Sequence, residues 1–161
     1  MIGIMSDSHD NRDAIKQAVS IFNSAECELV IHAGDFVAPF AALELAKLTC
    51  RIKAVFGNCD GEKQGLARAI QHFGEIQEAP FLFKWKKTQY LLTHLDFPLN
   101  SYLKQQNPDV LIFGHTHKPE VRFQGHTLLI NPGETGGWVT GKETVALFDP
   151  EEKTADIIPL Y

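Results

Sequence analysis

Four short apolar runs, MIGIM (1–5), ELVIHA (28–33), IKAVFG (52–57) and DVLIFG (109–114), each run straight into aspartate, asparagine or histidine, most often beside a glycine. Near-continuous aliphatic stretches of this length are what strands covered on both faces require, and each would deliver polar side chains at its carboxyl end. Between the first two lies NRDAIKQAVSIFNS (11–24), where Ile15, Val19 and Phe22 recur at i, i+4 and i+7, so this segment reads as a helix with one apolar face, capped by Asp10 or Asn11. PFAALELAKL (39–48) opens on a proline suited to a first helical turn and reads as one further helix. The first sixty residues thus spell β-α-β-α-β, a pattern of parallel strands with helices packed on them.

The second half changes character. FLFKWKKTQYLLTH (81–94) reads as a hairpin and Tyr102 falls in a short helix, while VRFQGHTLLI (121–130), ETVALFDP (143–150) and TADIIPL (154–160) read as strands joined by tight turns. Strands that can pair antiparallel call for a mixed sheet, or two stacked sheets flanked by helices. With 161 residues and 44% hydrophobic composition, the expectation is a single domain spanning 1–161.

The residues that follow the strands share a chemistry. They are Asp7-Ser8-His9, Gly34-Asp35, Gly57-Asn58, then His94 after YLLT, and Gly114-His115-Thr116-His117. The carboxyl ends of strands in an α/β sheet lie along one edge, and ligands bind beyond it, so these donors are expected to converge. In an extended segment i and i+2 point the same way, which would make Asp7 with His9, and His115 with His117, two paired claws, with glycines 34, 57 and 114 turning the backbone beside them. Seven oxygen and nitrogen donors exceed what one ion needs at an open catalytic site, so two metals with a bridging carboxylate are expected. The remaining histidines, His32, His72 and His126, read as structural, hydrogen-bonded residues.

The order D-x-H, GD, GN-x-D, H, GHTH resembles the calcineurin-like metallophosphoesterase superfamily, and in particular its small prokaryotic phosphodiesterase branch. The resemblance implies a four-layer α/β/β/α sandwich of two mixed β-sheets flanked by helices. It implies Asp7, His9, Asp35 and His117 around one metal, with Asp35 bridging to a second held by Asn58, His94 and His115. The implied activity is hydrolysis of a small phosphodiester or phosphate ester by a hydroxide bound between two divalent cations. Manganese is expected first, with iron, cobalt, nickel or zinc as alternatives, since no thiolate is required of the donor set. An alternative is a non-catalytic or weakly catalytic protein-binding scaffold, the use that the eukaryotic retromer complex makes of this fold.

Two departures matter. Many relatives read GNHD where this chain reads Gly57-Asn58-Cys59-Asp60; without that imidazole the catalytic acid is unassigned, Cys59 being a weak candidate donor and, on the plainer reading, a small buried residue. His94-Leu95-Asp96-Phe97 also lacks the glycine that commonly follows the histidine, leaving Asp96 as a further acceptor or as the cap of a helix starting near Pro98. Asn58, Asn11 and Arg12 are candidate substrate contacts, with helix start as the competing role for Asn11 and a solvated charge for Arg12.

Composition narrows the partners. A formal charge of −5 speaks against a broad nucleic-acid surface, and bound cations would offset most of it. Cys27, Cys50 and Cys59 are too few and too far apart for a disulfide framework, which points to a reducing compartment and a cytoplasmic location. MIGIMSDSHD meets a charge too soon for a signal peptide or membrane span. A homo-oligomer is left open. GGWVTGKE (136–143) matches G-x-x-x-x-G-K but precedes a strand and places Glu143 where serine or threonine is needed, so it reads as a loop. Asn131-Pro132-Gly133 reads as a structural turn, and Trp85 and Trp138 as packing residues.

Overall fold

Alternate residues of the central strands serve two different cores. In β1 (Ile2–Met5), Ile2 and Ile4 join an apolar cluster containing Val110, Ile112, Leu128 and Phe148, whereas Met5 joins another with Ile15, Val19 and Phe22. β2 (Leu29–His32) divides the same way, Leu29 and Ile31 against Val30. Both faces are covered, which is why these runs are apolar except for His32 at the end of β2. The computed structural model describes residues 1–160.

The first sheet continues with β3 (Arg51–Val55) and β4 (Gly74–Gln77), and the second contains β5 (Phe81–Trp85), β6 (Thr88–Leu92), β7 (Val110–Ile112), β8 (Glu120–Gln124) and β9 (Thr127–Asn131). β10 (Thr144–Asp149) and β11 (Thr154–Pro159) return to the first sheet, whose order is β11-β10-β1-β2-β3-β4; the second runs β5-β6-β7-β9-β8. β1 to β4 are mutually parallel with β10 antiparallel to β1, and β6, β7 and β9 are parallel with antiparallel strands at both edges. Both sheets are mixed.

Helices α1 (Arg12–Ser24), α2 (Pro39–Ala42) and α3 (Lys63–Ile70) cover the outer face of the first sheet through Ile15, Phe22, Ala41, Leu66 and Ile70. Helix α4 (Leu99–Gln106) covers the outer face of the second, where Leu99, Tyr102 and Leu103 meet Leu91, Leu111, Phe113 and Leu129. The architecture is the four-layer α/β/β/α sandwich. Each αβ unit leaves the carboxyl ends of its parallel strands free to hold a site.

The expected helix over 39–48 is broken: Pro39 starts it, but one α turn gives way to a 3₁₀ turn over Leu43–Lys47, closed by the Leu48 amide on the Leu45 carbonyl. α3 and β4 were not anticipated. No helix among the described residues is long and apolar enough to cross a membrane.

Candidate metal centre

β1, β2 and β3 of one sheet and β6 and β7 of the other deliver their following residues to a common edge. The backbone there is unusual: Asp7, His9, Asp35, His115 and His117 have φ of 52°, 39°, 61°, 67° and 60°, all left-handed. Non-glycine residues held so cost about 1–3 kcal/mol each and persist only where surroundings over-determine them. Here the Asp7 amide donates to Gly34 O (3.0 Å), the His9 amide to Asp35 O (3.1 Å) and the Gly114 amide to His94 O (3.1 Å). Asp60, nearly fully buried, ties two of the loops by accepting from the amides of Asp35 (3.0 Å), Val37 (2.8 Å) and Gly57 (2.7 Å).

The claws are therefore not products of extended alternation. Asp7 and His9 do turn toward each other, but through left-handed turns, while His115 and His117 part company: His117 goes to Asp7 and His115 to Asn58. The glycines also differ in purpose. Only Gly34 among the three has a positive φ (96°); a Cβ on Gly57 would overlap the Asp35 carboxylate, so that glycine is there for close approach.

The seven side chains form one unbroken chain of near contacts. His117 Nε2 lies 3.5 Å from Asp7 Oδ1, which is 3.9 Å from His9 Nε2. His9 Nε2 is 3.5 Å from Asp35 Oδ2, and the same oxygen is 3.3 Å from His94 Nε2. His94 Nε2 is in turn 2.8 Å from Asn58 Oδ1, and that oxygen is 3.0 Å from His115 Nδ1. Three sets of donor atoms lie within 4.8 Å of one another: Asp7, His9 and His117; Asp7, Asp35 and His94; and His9, Asp35 and Cys59.

This arrangement has the chemistry of a cation site. Asp7 Oδ2 is satisfied by the Ser6 hydroxyl (2.5 Å) and the His115 amide (3.1 Å), yet Asp7 Oδ1 and His9 Nε2 are buried with no hydrogen-bond partner. Such groups are costly unless something positive sits between them. His94 Nδ1 donates to Ala33 O (2.8 Å), so in a neutral ring Nε2 presents a lone pair to the oxygens of Asn58 and Asp35, an acceptor among acceptors. Burial raises the Asp7 pKa. At Asp35 burial acts in the same upward sense but His94 and the Cys59 amide outweigh it, and the carboxyl is held at about 2. Burial lowers the His94 pKa and the facing Asp35 carboxylate more than reverses it, so the ring becomes more basic. A bound cation would replace that proton.

Other residues fall into place around the chain. Glu134, fully buried, sits 2.8 Å from His117 Nδ1 and orients the ring. Neither Glu134 nor the roles of Ser6 and Asp60 were found in the sequence. Asn11 caps α1 by accepting from the Ala14 amide (3.2 Å) and donates to Gly136 O (2.9 Å) and Glu143 (3.1 Å); Arg12 pairs with Glu44. Cys59 is exposed, correcting the plainer reading of a small buried residue, and partial desolvation of its thiol followed by the Asp35 charge pushes its pKa up to about 11. Asp96 is exposed and α4 has no side-chain cap. His32 is structural as expected: its Nδ1 accepts from the Gly34 amide (3.2 Å), its Nε2 faces Ser8 (3.0 Å), and burial lowers its pKa to about 3. His72 and His126 are instead exposed on turns, and Trp138, expected to pack, is 67% exposed.

The calcineurin-like phosphoesterase superfamily domain matches residues 1–153. Phosphodiesterase MJ0936 of Methanocaldococcus jannaschii is 37% identical over 156 residues, covering 94% of each chain. A solved archaeal phosphodiesterase superposes with a TM-score of 0.93 at 36% identity, with 99% of both chains covered. Vps29 from Chaetomium thermophilum reaches a TM-score of 0.73 over 98% of this chain and 94% of its own, but at 14% identity that likeness concerns the fold alone. The family's extent along the sequence, and the level of identity to an archaeal relative across nearly its whole length, leave one conclusion: the chain belongs to the calcineurin-like phosphoesterase superfamily.

Proposed function

We propose that the chain acts as one catalytic domain, a phosphodiesterase working with two divalent cations, manganese first among them. The observation that carries this is the position of Asp35 Oδ2, 3.5 Å from His9 Nε2 and 3.3 Å from His94 Nε2. One carboxylate oxygen between two imidazoles supports the reading that two ions, when bound, would share it. Asp7, His9 and His117 complete one set with it, and Asn58, His94 and His115 the other. When bound, such ions acidify a water and draw charge from the phosphoryl oxygens during in-line displacement.

The protein's own part is positioning. Glu134 fixes the His117 ring, the Ala33 carbonyl fixes His94, and Asp60 locks the loops bearing Asp35 and Asn58. Asn58 turns Oδ1 to the histidines and one Nδ2 hydrogen to Cys59 Sγ (3.5 Å), which leaves its second Nδ2 hydrogen, on an exposed side chain, to donate to a phosphoryl oxygen. Relatives named as phosphodiesterases support a small ester as substrate. The test is elemental analysis of the purified protein together with hydrolysis of bis(p-nitrophenyl) phosphate with and without manganese. Bound metal and manganese-dependent turnover are expected; protein without either would favour the scaffold reading.

A further inference from the structure

We propose that the cleft beside Asn58 and His94 is a subsite for a planar, uncharged aromatic ester group of the phosphodiester, with Phe97 as its aromatic wall. This rests on the phosphodiesterase reading above and names its substrate class. The cleft has a volume of about 330 Å³, and Gly57, Asn58 and His94, from the metal edge, form part of its lining. A phosphoryl group held at Asn58 would therefore have one ester substituent enter it without crossing solvent.

The rest of the lining decides what that substituent is. Phe56, Leu95, Phe97, Pro98 and Tyr102 supply apolar and aromatic surface, contributed by the segment after β3, the loop into α4 and α4 itself. Phe97 is 76% exposed, a large ring held in water at the edge of the cleft, where a ring bound beside Asn58 would stack on it. The volume lies near the lower end of the roughly 300–1,000 Å³ range of small-molecule sites, enough for one ring system.

Charge away from the metal edge disfavours the main alternative, a second phosphate. The one carboxylate of the lining, Glu78, is paired with Lys63 (2.7 Å), whose ammonium lies 5.3 Å from the centre of the Phe56 ring, and the lining contains neither lysine nor arginine. Away from that edge an additional anionic group would thus meet a carboxylate whose only partner cation, Lys63, is already paired with it. A neutral ring can stack, and any amine it bears can donate to Glu78.

The experiment compares phenylphosphonate with methylphosphonate, binding each to the manganese-loaded protein by calorimetry. Both carry the same oxyanions and differ in the ring. Phenylphosphonate is expected to bind about tenfold more tightly, as a stacked ring commonly does. Phe97→Ala should bring that ratio below about threefold and Phe97→Tyr should restore it, since stacking needs the ring. Phe97 is exposed, so these variants keep the core intact. Equal affinities in the wild type, or a ratio untouched by Phe97→Ala, would overturn the subsite while leaving the metal centre standing. Failure of both phosphonates to bind would overturn the subsite and the phosphodiesterase reading together.

Discussion

Glu134 Oε2 lies 2.8 Å from Nδ1 of His117, inside a pocket of donors built by the loop that imitates a phosphate-binding motif. The Val139 amide (3.1 Å), the Thr140 amide and the Thr140 hydroxyl (2.6 Å) all donate to the same carboxylate. Burial works to raise its pKa, yet Thr140, His117 and Val139 prevail and hold it below the usual glutamate value. The GGWVTGKE loop thus grips a carboxylate of its own chain, and that carboxylate aims His117 Nε2 at Asp7.

Glu134→Gln is expected to weaken manganese binding about 10–100-fold, the usual effect of losing the carboxylate behind a ligating histidine. Titration of the chelator-stripped protein measures it. Unchanged affinity would take Glu134 out of this role.

Asp35 and Asn58 separate the two proposed ions. Asp35 contacts members of both donor sets, whereas Asn58 Oδ1 faces His94 and His115 of one set. Elemental analysis of Asp35→Asn should find almost no bound manganese, and of Asn58→Ala about half the wild-type content. Equal loss in the two variants would break the assignment of a shared oxygen.

Much of this was legible because the strands are buried on both faces: MIGIM, the LVI of ELVIHA and the VLIF of DVLIFG are unbroken apolar runs, and polar residues mark where each stops. β4 and α3 were not, since Gly74–Gln77 is a half-exposed edge strand and α3 has Gly65 in its interior and buries only Leu66 and Ile70. The seven donors stood out because each ends a strand. Glu134 escaped notice because it lies in a loop, and no local pattern says that a loop glutamate will face a histidine 17 residues earlier. The left-handed turns at Asp7 and His115 were equally hidden, for the sequence has aspartate and histidine where glycine would have advertised them.

Cys59 stands at the rim, its backbone amide donating to Asp35 Oδ1 (2.8 Å) and its exposed thiol protonated at neutral pH. A thiol with pKa near 11 is a weak acid for a departing alkoxide. Cys59→His should raise the rate on alkyl diesters more than on aryl diesters, by up to about 10²-fold, the lower range of general-acid assistance. Steady-state rates on the two substrate types decide the matter; the same relative change on both would refute a leaving-group role at this position.

Glu44, 6% exposed, bridges the start of α1 to the 3₁₀ turn through Arg12 Nε (3.0 Å) and Lys47 Nζ (2.6 Å). Lys47 first and Arg12 second hold its carboxyl at about 2, against an ordinary 4.5. Because the folded value is the depressed one, the stabilisation is complete above 4.5 and drains away as pH falls from 4.5 toward 2. Arg12 and Lys47 are 52% and 65% exposed, so solvent screens the cluster and its worth is about 1 kcal/mol rather than what the full shift implies. Thermal unfolding of chelated protein should therefore show Glu44→Gln less stable than wild type at neutral pH, with the gap closing through that acid window. A gap that stayed constant into acid would mean that Glu44 contributes by packing and not by charge.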